Sequence, residues 1–175
     1  QKTIVDFDIL RQQDTTMPYG SINRYAMYLF PDMSTDLSEQ WLHVNPIMGY
    51  SDKILINRTE RYNNMLISYN FLKHYGDKVL FIGLPREHEV FCEQHNLSIP
   101  RAELPDFLEI ARAISCCKLY IGNQSALFQI SEATKVNRIL EVCKQIPNVI
   151  GSGKGFYDFL NQFSLEYLVE KLFNK

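Results

Sequence analysis

The stretch CKLYIGNQSALFQISEA (117–133) runs from an aromatic and β-branched segment through Gly-Asn-Gln-Ser into an amphipathic segment. This order predicts a strand over 118–122, a tight turn, and a helix over 125–135. A helix that opens on small polar residues leaves backbone N–H groups without partners and places the positive end of its dipole behind them. Such a corner suits an anion, and Gly122, Asn123, Gln124 and Ser125 are the candidates to hold it. The alternative is a plain cap, in which Ser125 or Asn123 satisfies the helix start and nothing else binds.

Outward from this corner, strands and helices alternate. KILINR (53–58), KVLFIG (78–83), KLYIG (118–122) and RILEV (138–142) read as buried strands, with LSIP (97–100) as a short further one. Helices are expected through LISYNFLKHYG (66–76), PREHEVFCEQHN (85–96), LPDFLEIARAISC (104–116), 125–135, FYDFLNQF (156–163) and SLEYLVEKLF (164–173). Pro85 falls in a first helical turn, where its missing N–H is harmless. In the helix before KLYIG, Leu108, Ala111 and Ile114 or Ile110 form the expected inner side. This repetition is the pattern of an α/β fold, a parallel sheet with helices on both faces, whose ligands collect beyond the carboxyl ends of the strands. The loops after 58, 83 and 122 should therefore open on one edge. Residues 1–50 lack the alternation and read as a connective segment, and 51–175 as the domain proper.

Composition narrows the function. The 175 residues suit one domain, 46% hydrophobic and 22% charged, with a net charge of −2. That balance is ordinary for a soluble globular chain and gives no global attraction to nucleic acid or to an anionic membrane. No apolar run is long enough to span a bilayer. Cys92, Cys116, Cys117 and Cys143 show neither paired metal-site spacing nor scaffold density, so a reducing cytoplasm is the expected compartment. The sequons at Asn57, Asn96 and Asn123 would then stay unmodified. His88, Cys92 and His95 share one helical face, but no fourth ligand is apparent, and no metal site is expected.

The order FIGLPREHEVF, then LPDFLEIARAISCCKLYIGNQSALFQISEATKVNRILEV, resembles the nucleotide-binding half of the heptosyltransferase-type glycosyltransferases, which have two facing Rossmann-like domains (the GT-B architecture). The resemblance covers residues 52–150. It implies a Rossmann-like domain that binds a nucleotide-diphospho-sugar donor as substrate, with no separate cofactor. It also implies transfer to a glycan or other hydroxyl acceptor, and residues 1–50 as the remnant of the acceptor-side domain. The catalytic base would come from that other half, supplied by an N-terminal domain or a second copy of the chain. The chain departs from the family at Gln124, where an Asp is usual, at Ala126, where a Gly is frequent, and at Asn137, where a Pro is usual. These departures leave a second reading open, a non-catalytic nucleotide-binding or interaction module on the same fold.

Under this reading Arg58 and Arg61 are expected at the donor phosphates, since guanidinium forks match phosphate oxygens; the alternative is a pair of solvated loop residues. Gly83, Leu84, Pro85 and Glu87 would wall the nucleobase, or else form a simple turn into a helix. Glu141 would bond ribose hydroxyls, or stand as an ordinary carboxylate at a strand end. The aromatics at 156–167 fall near helical spacing and read as core or docking surface.

Overall fold

The computed structural model describes residues 36–174. Its centre is β3 (Leu119–Asn123), buried at every residue, which pairs in parallel with β1 (Ile54–Asn57) on one side and β4 (Arg138–Glu141) on the other. Beyond them lie β2 (Val79–Phe81), beside β1, and β5 (Phe156–Phe159), beside β4, giving the order β2-β1-β3-β4-β5 with every neighbour parallel. Buried on both faces, the central strands must be apolar almost throughout, which is why ILI, LYI and IL mark them in the sequence.

Among the described residues, four α-helices cover the sheet: α1 (Pro85–His95), α2 (Phe107–Ile114), α3 (Ala126–Thr134) and α4 (Gln162–Phe173). Side-chain alternation sorts the core into two layers. Ile54, Ile56, Phe81, Ile121 and Ile139 pack with Phe91 of α1 and with Leu165 and Val169 of α4. Leu55, Tyr120 and Leu140 pack on the other face with Ile114 of α2 and with Leu127 and Phe128 of α3. The helix starts are set locally. Asp106, Ser125 and Asn161 each accept a backbone N–H three residues on, from Glu109, Phe128 and Ser164.

Two expected helices are replaced. FYDF is β5, pairing residue for residue with β4, because its aromatics suit the sheet edge and positive-φ glycines at 153 and 155 turn the chain into register. Through 66–76 the chain forms no α-helix but a 3₁₀ segment, Asn70–Lys78, interrupted at Gly76, whose φ of 53° and ψ of −126° lie outside the helical region. Side-chain oxygens capture the backbone just upstream: Asn64 Oδ1 accepts Leu66 N–H, and Ser68 Oγ accepts Asn70 N–H. The expected strand at 97–100 reduces to a single bridge between Phe81 and Arg101. In α2, Ala111 and Ile114 face inward as expected, but Leu108 is 58% exposed.

Residues 36–50 lie across α2 and α3, with the N–H groups of Trp41 and Leu42 donating to Ala133 O and that of Ile47 to Arg112 O. Residues 1–35 of the expected connective segment lie outside the described residues. Among the described residues, no helix is long and apolar enough to cross a membrane.

Candidate functional site

The strand order reverses direction between β1 and β3, and their carboxyl ends flank the crevice where such sheets bind ligands. The ends are Asn57 and Asn123, and α3 begins directly beyond. Ser125 Oγ caps α3 and donates to Asn57 Oδ1 at 2.9 Å, while Asn57 Nδ2 donates to Ile82 O at 2.9 Å. This chain of bonds ties α3, β1 and the segment after β2 into a rigid floor.

Above the floor lies a cleft of about 440 Å³, within the usual range for small-molecule sites. Its polar end is formed by Arg61, Thr59, Gln124 and Ser125, and its other wall by Leu104, Pro105, Phe107 and Ile110 with Gly83 and Leu84 opposite. Two donors remain open at the polar end. The N–H groups of Ala126 and Leu127, in the first turn of α3, have no partner among the described residues, because the Ser125 cap takes only Phe128 N–H. The exposed Arg61 side chain lies over the Tyr62 ring at 5.6 Å and lines the same end. The positive helix terminus and a guanidinium thus face one space, lined elsewhere by the apolar Leu104, Phe107 and Ile110 and by Glu87 and Asp106.

The nucleoside-side expectations fall beside it. Gly83 adopts a φ of 143°, and a side chain there would meet Asn57 Nδ2 at 2.8 Å and Glu87 Oε2 at 2.9 Å, so the position requires glycine. Leu84 is exposed on the cleft, Pro85 is the first residue of α1, and the Glu87 carboxylate accepts Leu84 N–H. The apolar wall from α2 was missed at the sequence level. Its signal was Phe107, a large apolar residue in the first turn of a helix whose inner side is already supplied by Ala111 and Ile114; it is 63% exposed.

Several expected phosphate ligands are instead engaged by the protein. Gly122 lies inside β3, where a side chain would strike the Tyr120 ring. Asn123 projects to the opposite face and clamps the loop after β1: its Oδ1 accepts Thr59 N–H at 3.1 Å and its Nδ2 donates to Arg61 O at 2.6 Å. Gln124 lines the cleft, but its amide ties down the loop after β4, donating to Ile146 O at 2.7 Å and Asn148 Oδ1 at 2.5 Å and accepting Cys143 N–H at 2.7 Å. Only an amide meets a donor and two acceptors together, which accounts for Gln where the family resemblance expects Asp. Gln124→Glu turns those two donated bonds into repulsions and is expected to cost about 2–3 kcal/mol in urea unfolding, with faster amide exchange over 143–148.

Arg58 and Glu141 are corrected most sharply. Neither side chain lines the donor cleft; they bond each other on the other face of the sheet. Arg58 Nε and Nη2 donate to the two Glu141 oxygens at 2.8 and 2.9 Å, and both side chains are almost fully buried. Glu141 also accepts Tyr69 Oη–H at 2.7 Å and the N–H of Asn64. The reason is alternation. Asn57 points to the cleft face, so the next residue points away, and Glu141 shares the side of Ile139. Burial works against the Arg58 charge, but Glu141 outweighs it and raises the guanidinium above its ordinary value. Burial, then Glu141, pushes the Tyr69 hydroxyl well up.

His95 completes this cluster, its Nε2 at 3.2 Å from Arg58 Nη1. Burial and the adjacent Arg58 lower it from 6.5 to about 4, while Glu141 opposes the shift. The unfolded chain therefore takes up this proton at higher pH than the folded one, so stability falls as pH drops from 6.5 toward about 4. The expected loss is about 2 kcal/mol, less than the full shift because the ring borders a cleft. Chemical denaturation across that window should show a shallower pH slope for His95→Gln.

His88 Nε2 lies 2.8 Å from Ile99 O, and among the described residues no cluster of His, Cys, Asp or Glu is arranged to hold a metal ion.

No protein-family model matches the sequence, and no curated protein is similar to it at the sequence level. Among solved structures, the fold is similar to the E. coli heptosyltransferase WaaC with ADP (TM-score 0.54, 12% identity, 73% of this chain and 46% of that one). It is also similar to the glycosyl transferase family 9 protein of Veillonella parvula (TM-score 0.49, 17% identity, 97% of this chain and 56% of that one). The chain spans about half the length of either structure. Its parallel sheet, covered on both faces by helices, is the Rossmann-like fold seen in heptosyltransferase-like glycosyltransferases.

Proposed function

We propose that this chain is the donor-binding half of a glycosyltransferase, holding the nucleoside diphosphate of a nucleotide sugar in the cleft between β1 and α3. The observation that carries this reading is the convergence of the open Ala126 and Leu127 N–H groups and the Arg61 guanidinium at one end of a cleft whose other lining includes the apolar Leu104, Phe107 and Ile110. A diphosphate suits that end and a nucleobase the apolar lining, with Gly83, Leu84 and Glu87 along the base wall. The similar heptosyltransferase structure is described with ADP, which supports the same ligand class here.

In such a transfer the leaving group is a nucleoside diphosphate, and negative charge builds on its phosphate as the sugar bond breaks. Fixed N–H dipoles and Arg61 stabilise that charge without reorganising. The acceptor hydroxyl and the base that deprotonates it would come from the other half of a two-domain enzyme.

A second reading, a non-catalytic nucleotide-binding module, is favoured by one observation: Asn123, Gln124 and Ser125 hold protein groups rather than facing the cleft as free ligands. Thermal shift with ADP, GDP, UDP and their sugar derivatives tests the shared core of both. Stabilisation by several degrees at saturating ligand is expected; no shift with any of them at millimolar concentration overturns the proposal. Sugar release catalysed by the chain together with its acceptor half separates the two readings.

A further inference from the structure

A second cleft, of about 280 Å³, lies on the opposite side of the loop after β1 and shares no residue with the donor cleft. Arg58, His95, Gln94 and Ser68 supply its polar lining, and Met65, Leu66 and Ile67 its apolar lining; among the described residues no carboxylate lines it.

The hydrogen bonding at its base is over-supplied with donors. Tyr69 N–H points at His95 Nδ1 at 3.4 Å and has no other acceptor among the described residues. That assigns the proton of the neutral ring to Nε2. Nε2–H then faces Arg58 Nη1, also a donor, at 3.2 Å. The remaining Arg58 N–H groups are well used, Nε and Nη2 bonding Glu141 and Asn64 O, whereas among the described residues Nη1 has only this contact. Two buried donors meeting without an acceptor are costly, and an oxygen seated beside the pair, within reach of each, satisfies both. The neutral Gln94 amide and the Ser68 hydroxyl add further donors at the mouth.

We propose that this cleft is a binding site for a small organic oxyanion, a carboxylate or phosphate monoester, whose charged oxygen bridges Arg58 Nη1 and His95 Nε2. Its apolar tail lies along Met65 and Leu66, which are 74% and 81% exposed. Arg58 is nearly neutralised by Glu141, so the affinity rests on directed hydrogen bonds in a partly dry cleft rather than on net charge. The site does not depend on the donor reading.

The test is NMR on the full chain at pH 7, following the His95 imidazole during titration with hexanoate, butyl phosphate and neutral hexanol. Saturable shifts with either anion, and none with hexanol, are expected; which anion binds more tightly identifies the natural head group. Gln94→Glu, an exposed change on α1 that leaves the core intact, should weaken anion binding at least tenfold by placing a like charge at the mouth. Arg61→Ala should leave it unchanged, which separates this site from the donor cleft. No saturable shift with either anion, equal response to hexanol, or indifference to Gln94→Glu overturns the proposal.

Discussion

Arg58→Ala and Glu141→Ala are each expected to cost about 3–5 kcal/mol in urea unfolding, among the largest single-residue effects in this domain. Each change leaves one charge buried without its counter-ion, and the surrounding groups cannot replace it. Among the described residues, the Glu141 carboxylate without Arg58 keeps only Tyr69 Oη–H and Asn64 N–H, and Arg58 without Glu141 keeps Asn64 O and the face of the Tyr69 ring. The double change Arg58→Met with Glu141→Leu should cost less than the two single changes added together, because it removes both charges at once. Strict additivity would show that the pair acts independently and would contradict the account of this cluster. The pair also bridges the ends of β1 and β4 across β3, so its loss should loosen the loop that carries Arg61.

Ala126→Glu is expected to weaken binding of a nucleoside diphosphate about a hundredfold, while leaving the unfolding midpoint nearly unchanged. Ala126 is exposed in the first turn of α3, so the substitution disturbs no packing. Its carboxylate would occupy the space before two open N–H groups and repel the phosphates, and an acidic residue suits a helix start, so stability should not suffer. Arg61→Ala, which removes one charge-assisted contact at an exposed position, should weaken binding about tenfold. Isothermal titration with ADP, GDP and UDP reads both effects. If Ala126→Glu binds as the parent chain does, the phosphates do not sit at the α3 terminus.

Much of this arrangement is legible in the residues because local chemistry and tertiary packing agree. The runs ILI, LYI and IL, with a polar cap at Ser125, announce a parallel sheet and a helix start, and the common opening of the β1, β2 and β3 loops follows from parallel strands. Gly83 and Pro85 could be placed for the same reason, each having a backbone conformation that few other residues supply.

What the residues did not reveal depends on long-range partners. Arg58 and Glu141 stand 83 positions apart, and their pairing follows only once β1 and β4 flank β3 and the alternation of each strand end is known. One position earlier, Asn57 serves the cleft; one later, Arg58 serves the core. Gln124 reads as a deviation from a family motif until the loop at 143–148 is seen to need its amide. The FYDF segment has aromatics compatible with either helix or strand, and only the free edge of β4 decides between them.

The central claim is that the first turn of α3 receives phosphate. Backbone amide NMR of the full chain during titration with a nucleoside diphosphate tests it most directly. The Ala126 and Leu127 amides should shift together and saturably, with the Arg61 side-chain resonance, while residues on the Glu141 side of the sheet stay still. Saturable shifts that leave Ala126 and Leu127 unmoved, or no shifts at millimolar ligand, would contradict the account.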